Sequence, residues 1–250
     1  MLEITSVNNE YVKETVKLQQ RKYRDNEKKF LLEGFKAIEE AFNAGIELEK
    51  VFVISEKAHD YDFVKEKVIL TNEAVLKKIS TTESAPESVA IGIQKKYDKS
   101  VLNNSKKVLL LENIKDVGNL GTIIRTSVAF NVDAIVLYGE SVDLYNPKCV
   151  RASVGNLWKI PVVQLRDLSE LKEQFKNYEK IATLPRAKTC LKNFTVNEPW
   201  LLMFGSEAEG LSSDLTQIAT KELKIEMPGD VESLNLSISC GIILYKFLIK

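Results

Sequence analysis

Val108-Leu109-Leu110-Leu111 runs into Glu112-Asn113-Ile114-Lys115-Asp116-Val117-Gly118-Asn119-Leu120-Gly121-Thr122-Ile123-Ile124-Arg125. An apolar run without polar alternation is the pattern of a parallel strand covered on both faces. The residues after it read as a turn containing Gly118 and Gly121, then a helix over about 122–130. Further along, 134–138, 161–163, 180–184 and 200–204 read as strands. Helices are expected over 146–154, 168–175 and 236–248. This β-α-β alternation predicts an α/β domain with a parallel sheet and helices on both faces.

Upstream, 9–29 reads as one helix with a basic tail, and 30–32 as a short strand. A helix is expected over 34–44, stopped by Gly45. Strands are expected at 51–54, 68–70 and 88–93, with a helix capped by Asn72 between the last two. This is a second, smaller α/β unit. The polar stretch 95–106 is the linker candidate, which gives domains 1–98 and 99–250.

The composition narrows the class. The chain has 250 residues, 44% hydrophobic and 28% charged, enough for a substantial core. No apolar run approaches the roughly 18 residues of a membrane span. Residues 1–20 carry Glu3, Glu10 and Glu14 and lack the apolar stretch of a signal peptide, so the cytoplasm is expected. Lys+Arg and Asp+Glu are both 35, so the net charge is zero. At first reading that argues against a nucleic-acid partner. The neutrality, however, is a sum of patches. Residues 11–30 hold seven basic and three acidic side chains, a local +4, and 31–50 hold two and five, a local −3.

Cys149, Cys190 and Cys240 have no metal spacing and read as buried apolar filler. The single histidine, His59, sits in the polar stretch Glu56-Lys57-Ala58-His59-Asp60 and reads as a solvated loop residue. A histidine triad or a multi-histidine metal site cannot be assembled, and no metal is expected.

Ligands of such sheets bind beyond the carboxyl ends of the strands, where three loops stand out. In the first, Arg125 follows Gly121 by one helical turn. It is either a solvated surface residue or a fork of donors for phosphate. The second, Phe204-Gly205-Ser206-Glu207-Ala208-Glu209-Gly210-Leu211, imitates a dinucleotide loop but carries two carboxylates, which repel a pyrophosphate. It is either a plain strand-to-helix turn or a site for a ligand without phosphate or with positive charge. The third runs from Ile225 through Met227 to Ser233-Leu234-Asn235, Ser237 and Ser239. Ser233 or Asn235 there reads as a helix N-cap or as a functional side chain.

Together the three loops resemble the SpoU (TrmH) family of RNA ribose methyltransferases, within the SPOUT superfamily. Asn119 to Arg125 is similar to its first motif. Gly205, Glu207 and Gly210 resemble its Gly-x-Glu-x-x-Gly, and Ser233-Leu234-Asn235 with Ser237 its last motif. Leu18-Gln19-Gln20-Arg21-Lys22-Tyr23-Arg24 and Phe30-Leu31-Leu32-Glu33-Gly34 resemble the RNA substrate-binding domain that precedes many such enzymes.

The resemblance implies a catalytic domain with a C-terminal trefoil knot, S-adenosylmethionine as cofactor, and a homodimer whose site lies at the subunit interface. It implies catalytic roles for Arg125, Asn119, Glu207, Ser233 and Asn235, and cofactor contacts from Gly205, Ile225, Met227, Leu234 and Ser237. RNA docking falls to Arg21, Lys22 and Arg24. The implied reaction is 2′-O-methylation of a ribose, with large-subunit rRNA favoured over tRNA. Alternatives are a tRNA ribose methyltransferase, a silent RNA-binding scaffold of the same fold, and a nucleotide-dependent enzyme using Gly118 and Gly121. Asn131 departs from the family, which frequently carries Gly there. Glu226 also departs, standing where many members carry Pro.

Overall fold

A computed structural model describes residues 1–229, 231 and 233–249. Asp230 and Glu232 of the third loop lie outside the described residues. In chain order the elements are β1 (Leu2–Ile4), α1 (Glu10–Lys17), α2 (Arg21–Glu27), β2 (Lys29–Glu33), α3 (Phe35–Asn43), β3 (Leu48–Ile54), β4 (Val68–Thr71), α4 (Glu73–Ile79) and β5 (Ser88–Ile93). They continue as β6 (Lys107–Glu112), α5 (Val117–Ala129), β7 (Ala134–Tyr138), α6 (Pro147–Ser153), β8 (Val162–Leu165) and α7 (Leu168–Gln174). The last are β9 (Glu179–Thr183), β10 (Trp200–Phe204), α8 (Ser213–Ile218), β11 (Lys221–Leu223) and α9 (Leu236–Leu248). The chain forms two compact units. One comprises Met1–Lys95 with Asp143–Trp158, the other Lys96–Val142 with Lys159–Lys250.

In the first unit the strand order is β1-β4-β3-β5-β2. β1, β4 and β3 run parallel, and β5 lies antiparallel between β3 and β2. The single helix expected over 9–29 is broken at 18–20. Asn9 caps α1, Leu18 ends it, and Gln20 takes an extended conformation before α2. The break turns Arg24 inward. Arg24 is 1% exposed and donates from Nε and Nη2 to Asp143 Oδ2 at 2.8 and 2.5 Å. Its Nη1 donates to Leu18 O at 2.7 Å, which satisfies an orphan carbonyl at the end of α1. The segment Asp143–Trp158 is fastened to this unit by that pair and by Arg151 donating to Glu33. Tyr145 and Trp158 also pack on Phe30, at centroid distances of 4.8 and 5.3 Å.

The second unit holds a six-stranded sheet in the order β11-β9-β10-β6-β7-β8, parallel throughout. Every β6 residue after Lys107 is buried, which explains the run without alternation. Val108, Leu110, Val136 and Met203 belong to one core cluster with Phe175 of the α7 C-cap. Helix α5 starts earlier than expected. Asp116 caps it by accepting from Asn119 N at 2.6 Å, so Gly118 and Gly121 are helical and form no turn. β11 is short and ends at Leu223, so the third loop begins before Ile225. Asn131, in the place where the family often has Gly, takes φ +53 just beyond α5. That is the left-handed region Asn tolerates better than most residues.

Candidate active site

Three loops leave the carboxyl ends of the parallel strands and meet. The loop after β10 folds back tightly. Gly210 N donates to Ser206 O at 2.9 Å, and Ser206 Oγ accepts from Glu209 N at 3.1 Å. A Cβ at Gly205 would lie 1.9 Å from the carbonyl carbon of Gly210, so only glycine fits there. Gly210 itself has φ +71, the left-handed region that favours glycine. The far end of the loop is held by Glu112, 4% exposed at the end of β6, whose Oε2 accepts from Ser212 N at 2.8 Å.

The start of α9 is set by Asn235. Its Oδ1 accepts from Ser237 N at 2.9 Å, Ser237 Oγ at 2.7 Å and Ile238 N at 3.4 Å. Its Nδ2 donates to Asn119 Oδ1 at 2.9 Å, and Asn119 Nδ2 donates to Glu207 Oε1 at 2.9 Å. Asn119 in the first turn of α5, Glu207 in the loop after β10 and Asn235 at the cap of α9 therefore join in a continuous hydrogen-bonded chain. Asn235 is both the helix cap and a member of the site.

The loops enclose a cavity of about 630 Å³. Gly205, Ile225, Met227 and Leu234 line it, as do Glu207, Ser233 and Asn235. Ser237 does not line it; its hydroxyl is turned to Asn235 instead. Thr183 at the end of β9 and Ser239 and Ile243 on α9 also line the cavity and were not assigned to it from the sequence. Ser239, two residues beyond a motif serine, was visible in the sequence; nothing local marked Thr183. A neighbouring cavity of about 520 Å³ shares residues 206–209 and adds Asn113, Lys115, Gly139 and Glu140.

Arg125 lies on α5 with its side chain exposed, and it makes no hydrogen bond or ion pair among the described residues. His59 is 76% exposed, beside Asp60, in the first unit. Arg21 and Lys22 are exposed on α2, whereas Arg24 is buried and committed to Asp143, so its guanidinium is not on the surface. Among the described residues no helix is long and apolar enough to cross a membrane, and no cluster of three His, Cys, Asp or Glu side chains could hold a metal ion.

Residues 106–245 match the SpoU rRNA Methylase family. The chain belongs to this family. Residues 9–90 match the MRM3-like substrate binding domain. An uncharacterized tRNA/rRNA methyltransferase of Synechocystis is 34% identical, over 97% of this chain and 92% of that protein. The 23S rRNA (guanosine(2553)-2′-O)-methyltransferase of Bacillus subtilis is 29% identical over 98% of both chains. The AdoMet-bound rRNA methyltransferase of Sinorhizobium meliloti superposes with a TM-score of 0.88 at 27% identity, covering 98% of this chain and 96% of that one.

Proposed function

We propose that this protein transfers a methyl group from S-adenosylmethionine to a ribose 2′-hydroxyl of 23S rRNA. The observation that carries the reading is the convergence of Asn119, Glu207 and Asn235 beside a cavity of about 630 Å³. That cavity suits S-adenosylmethionine on its own chemistry. Leu223, Ile225, Leu234 and Ile243 offer apolar walls, and Glu207 and Glu209 place carboxylates at the rim, suited to a cation and hostile to a pyrophosphate. Bound S-adenosylmethionine supplies an electrophilic methyl on a cationic sulfur. Gly205, Ile225, Met227 and Leu234 would hold it. The near full-length likeness to a 23S rRNA 2′-O-methyltransferase favours rRNA over tRNA, and the cytoplasm is then the place of action.

Arg125 supplies the charge the reaction needs on the substrate side. Its fork of donors suits the phosphate flanking the target ribose, and its positive charge favours the developing alkoxide. An arginine stays protonated, so it acts as an electrostatic aid and not as the proton acceptor. Residues 1–98 dock the RNA, with Arg21 and Lys22 meeting phosphate, and 99–250 carry the chemistry.

The working form is a homodimer in which Arg125 acts beside the partner's cofactor, and the C-terminal segment is threaded as a trefoil knot. The dimer is supported by an exposed apolar stripe on α9, formed by Ile238, Ile242 and Tyr245. Such spacing puts the three on one helix face. Sedimentation of the Ile238→Glu/Ile242→Glu variant should give a monomer where the parent gives a dimer; a parent that sediments as a monomer removes the idea.

The function is tested by incubating the protein with labelled S-adenosylmethionine and purified 23S rRNA, 16S rRNA or tRNA. Label should enter 23S rRNA and resist alkaline cleavage at one nucleotide. Label confined to tRNA reassigns the substrate, and label in no RNA refutes the methyltransferase reading.

A further inference from the structure

We propose that Asn235 and Ser237 are positioning residues for Glu207, acting through a hydrogen-bond relay of fixed polarity. The polarity follows from the backbone. Asn235 Oδ1 accepts from two α9 amides and the Ser237 hydroxyl. A side-chain NH2 cannot accept, so the Asn235 amide has one permitted orientation. Its Nδ2 must then donate, which makes the facing atom of Asn119 the oxygen. Asn119 Nδ2 is thereby left pointing at residue 207, where it requires an acceptor. The helix start thus dictates, across two amides, which group can stand in another loop. Glu207 meets the demand with Oε1 and retains Oε2. Glu207 is exposed and lines both cavities, and its second oxygen has no hydrogen-bond partner among the described residues. We assign it to accept a hydrogen bond from the substrate nucleotide.

The polarity stands on hydrogen bonds alone; the role of the second oxygen rests on the methyltransferase reading. The test separates the two. Asn235→Asp keeps a good helix cap but removes the donor, so Asn119 must turn over and present its oxygen to the Glu207 carboxylate. Glu207→Gln keeps an acceptor oxygen for Asn119 and changes only the second atom. In the double variant the relay runs backwards with every bond satisfied. The new amide at position 207 donates to Asn119 Oδ1, and Asn119 Nδ2 donates to the new carboxylate at position 235.

Thermal midpoints and S-adenosylmethionine affinity by calorimetry read the relay. Asn235→Asp should lower the midpoint by roughly 2–6 °C, Glu207→Gln should move it by about 1 °C or less, and the double variant should recover most of the loss. Additive losses in the double variant would overturn the relay. The cycle repeated with Asn119→Leu excludes bare charge repulsion between positions 235 and 207. The coupling should vanish in that background, and its persistence would also overturn the relay.

Kinetics with 23S rRNA read the second oxygen. Glu207→Gln alone presents its NH2 to the nucleotide and should lose about tenfold or more in kcat with a smaller change in KM, whereas the double variant turns the amide oxygen to the nucleotide and should regain part of that loss along with its stability. Parental turnover in Glu207→Gln contradicts the assigned role of Oε2 and leaves the polarity to the thermal cycle. A parent protein inactive on every RNA refutes the methyltransferase reading and with it that role, while the thermal cycle still decides the polarity.

Discussion

Asn235 Nδ2 donates to Asn119 Oδ1 at 2.9 Å across 116 residues of sequence. The bond ties the cap of the last helix to the first turn of α5, the helix that also carries Arg125. It joins the loops without touching Arg125, so the role proposed for Arg125 on the substrate side is separable from the scaffold.

Arg125→Ala should therefore leave S-adenosylmethionine affinity unchanged and lower methyl transfer by about 100-fold or more, the size of effect seen when a transition-state donor is removed. Arg125→Lys should recover little, because the ammonium lacks the planar fork. Single-turnover kinetics alongside calorimetry measures both. Loss of cofactor affinity in the alanine variant would place Arg125 in the loop scaffold instead.

Gly205→Ala should abolish the cofactor cavity. The added Cβ would meet the Gly210 carbonyl carbon at 1.9 Å and its oxygen at 2.0 Å, both backbone atoms. Affinity for S-adenosylmethionine should fall at least about tenfold, or about 1.4 kcal/mol. Unchanged binding would mean that the loop opens to make room without holding the ligand.

Arg24 and its neighbours should respond oppositely to substitution. The side chains of Arg24 and Asp143 are 2% and 8% exposed, so Arg24→Ala leaves a buried carboxylate unpaired and should cost about 3–5 kcal/mol in the first unit. Arg21→Glu with Lys22→Glu should leave urea unfolding nearly unchanged and weaken RNA binding in a salt-dependent way. Filter binding at two salt concentrations decides it. Equal RNA affinity in the charge-reversed protein would move the docking surface elsewhere.

One thiol should react quickly with a disulfide reagent in the native protein. Cys149 and Cys240 are fully buried, and burial pushes the Cys240 thiol well above its ordinary pKa. Cys190 is partly exposed. Two slow thiols should appear only on unfolding; three fast thiols would show that the surroundings of α6 and of α9 both open readily.

The fold class and the meeting of the three loops were legible because they rest on local residue types. An unbroken apolar run marks β6, and Gly, Glu, Ser and Asn cluster at strand ends. What the sequence hid depends on distance or on context. Arg24 lies in a basic run that reads as surface, yet its partner Asp143 is 119 residues away. The expected turn at Gly118 and Gly121 became helix because Asp116 caps it three residues before Asn119. The motif position of Ser237 is legible in the sequence, while its hydrogen bond to the preceding cap is not. Glu112 ends an apolar run, and a carboxylate in that place is a signal of its own for a buried hydrogen bond.

Mass mapping of ribose methylation in rRNA from cells with and without the gene tests the central claim most directly. The account predicts that one 2′-O-methylated nucleotide of 23S rRNA disappears with the gene, returns with the parent protein, and fails to return with Arg125→Ala. An identical methylation map in the presence and absence of the gene would contradict it.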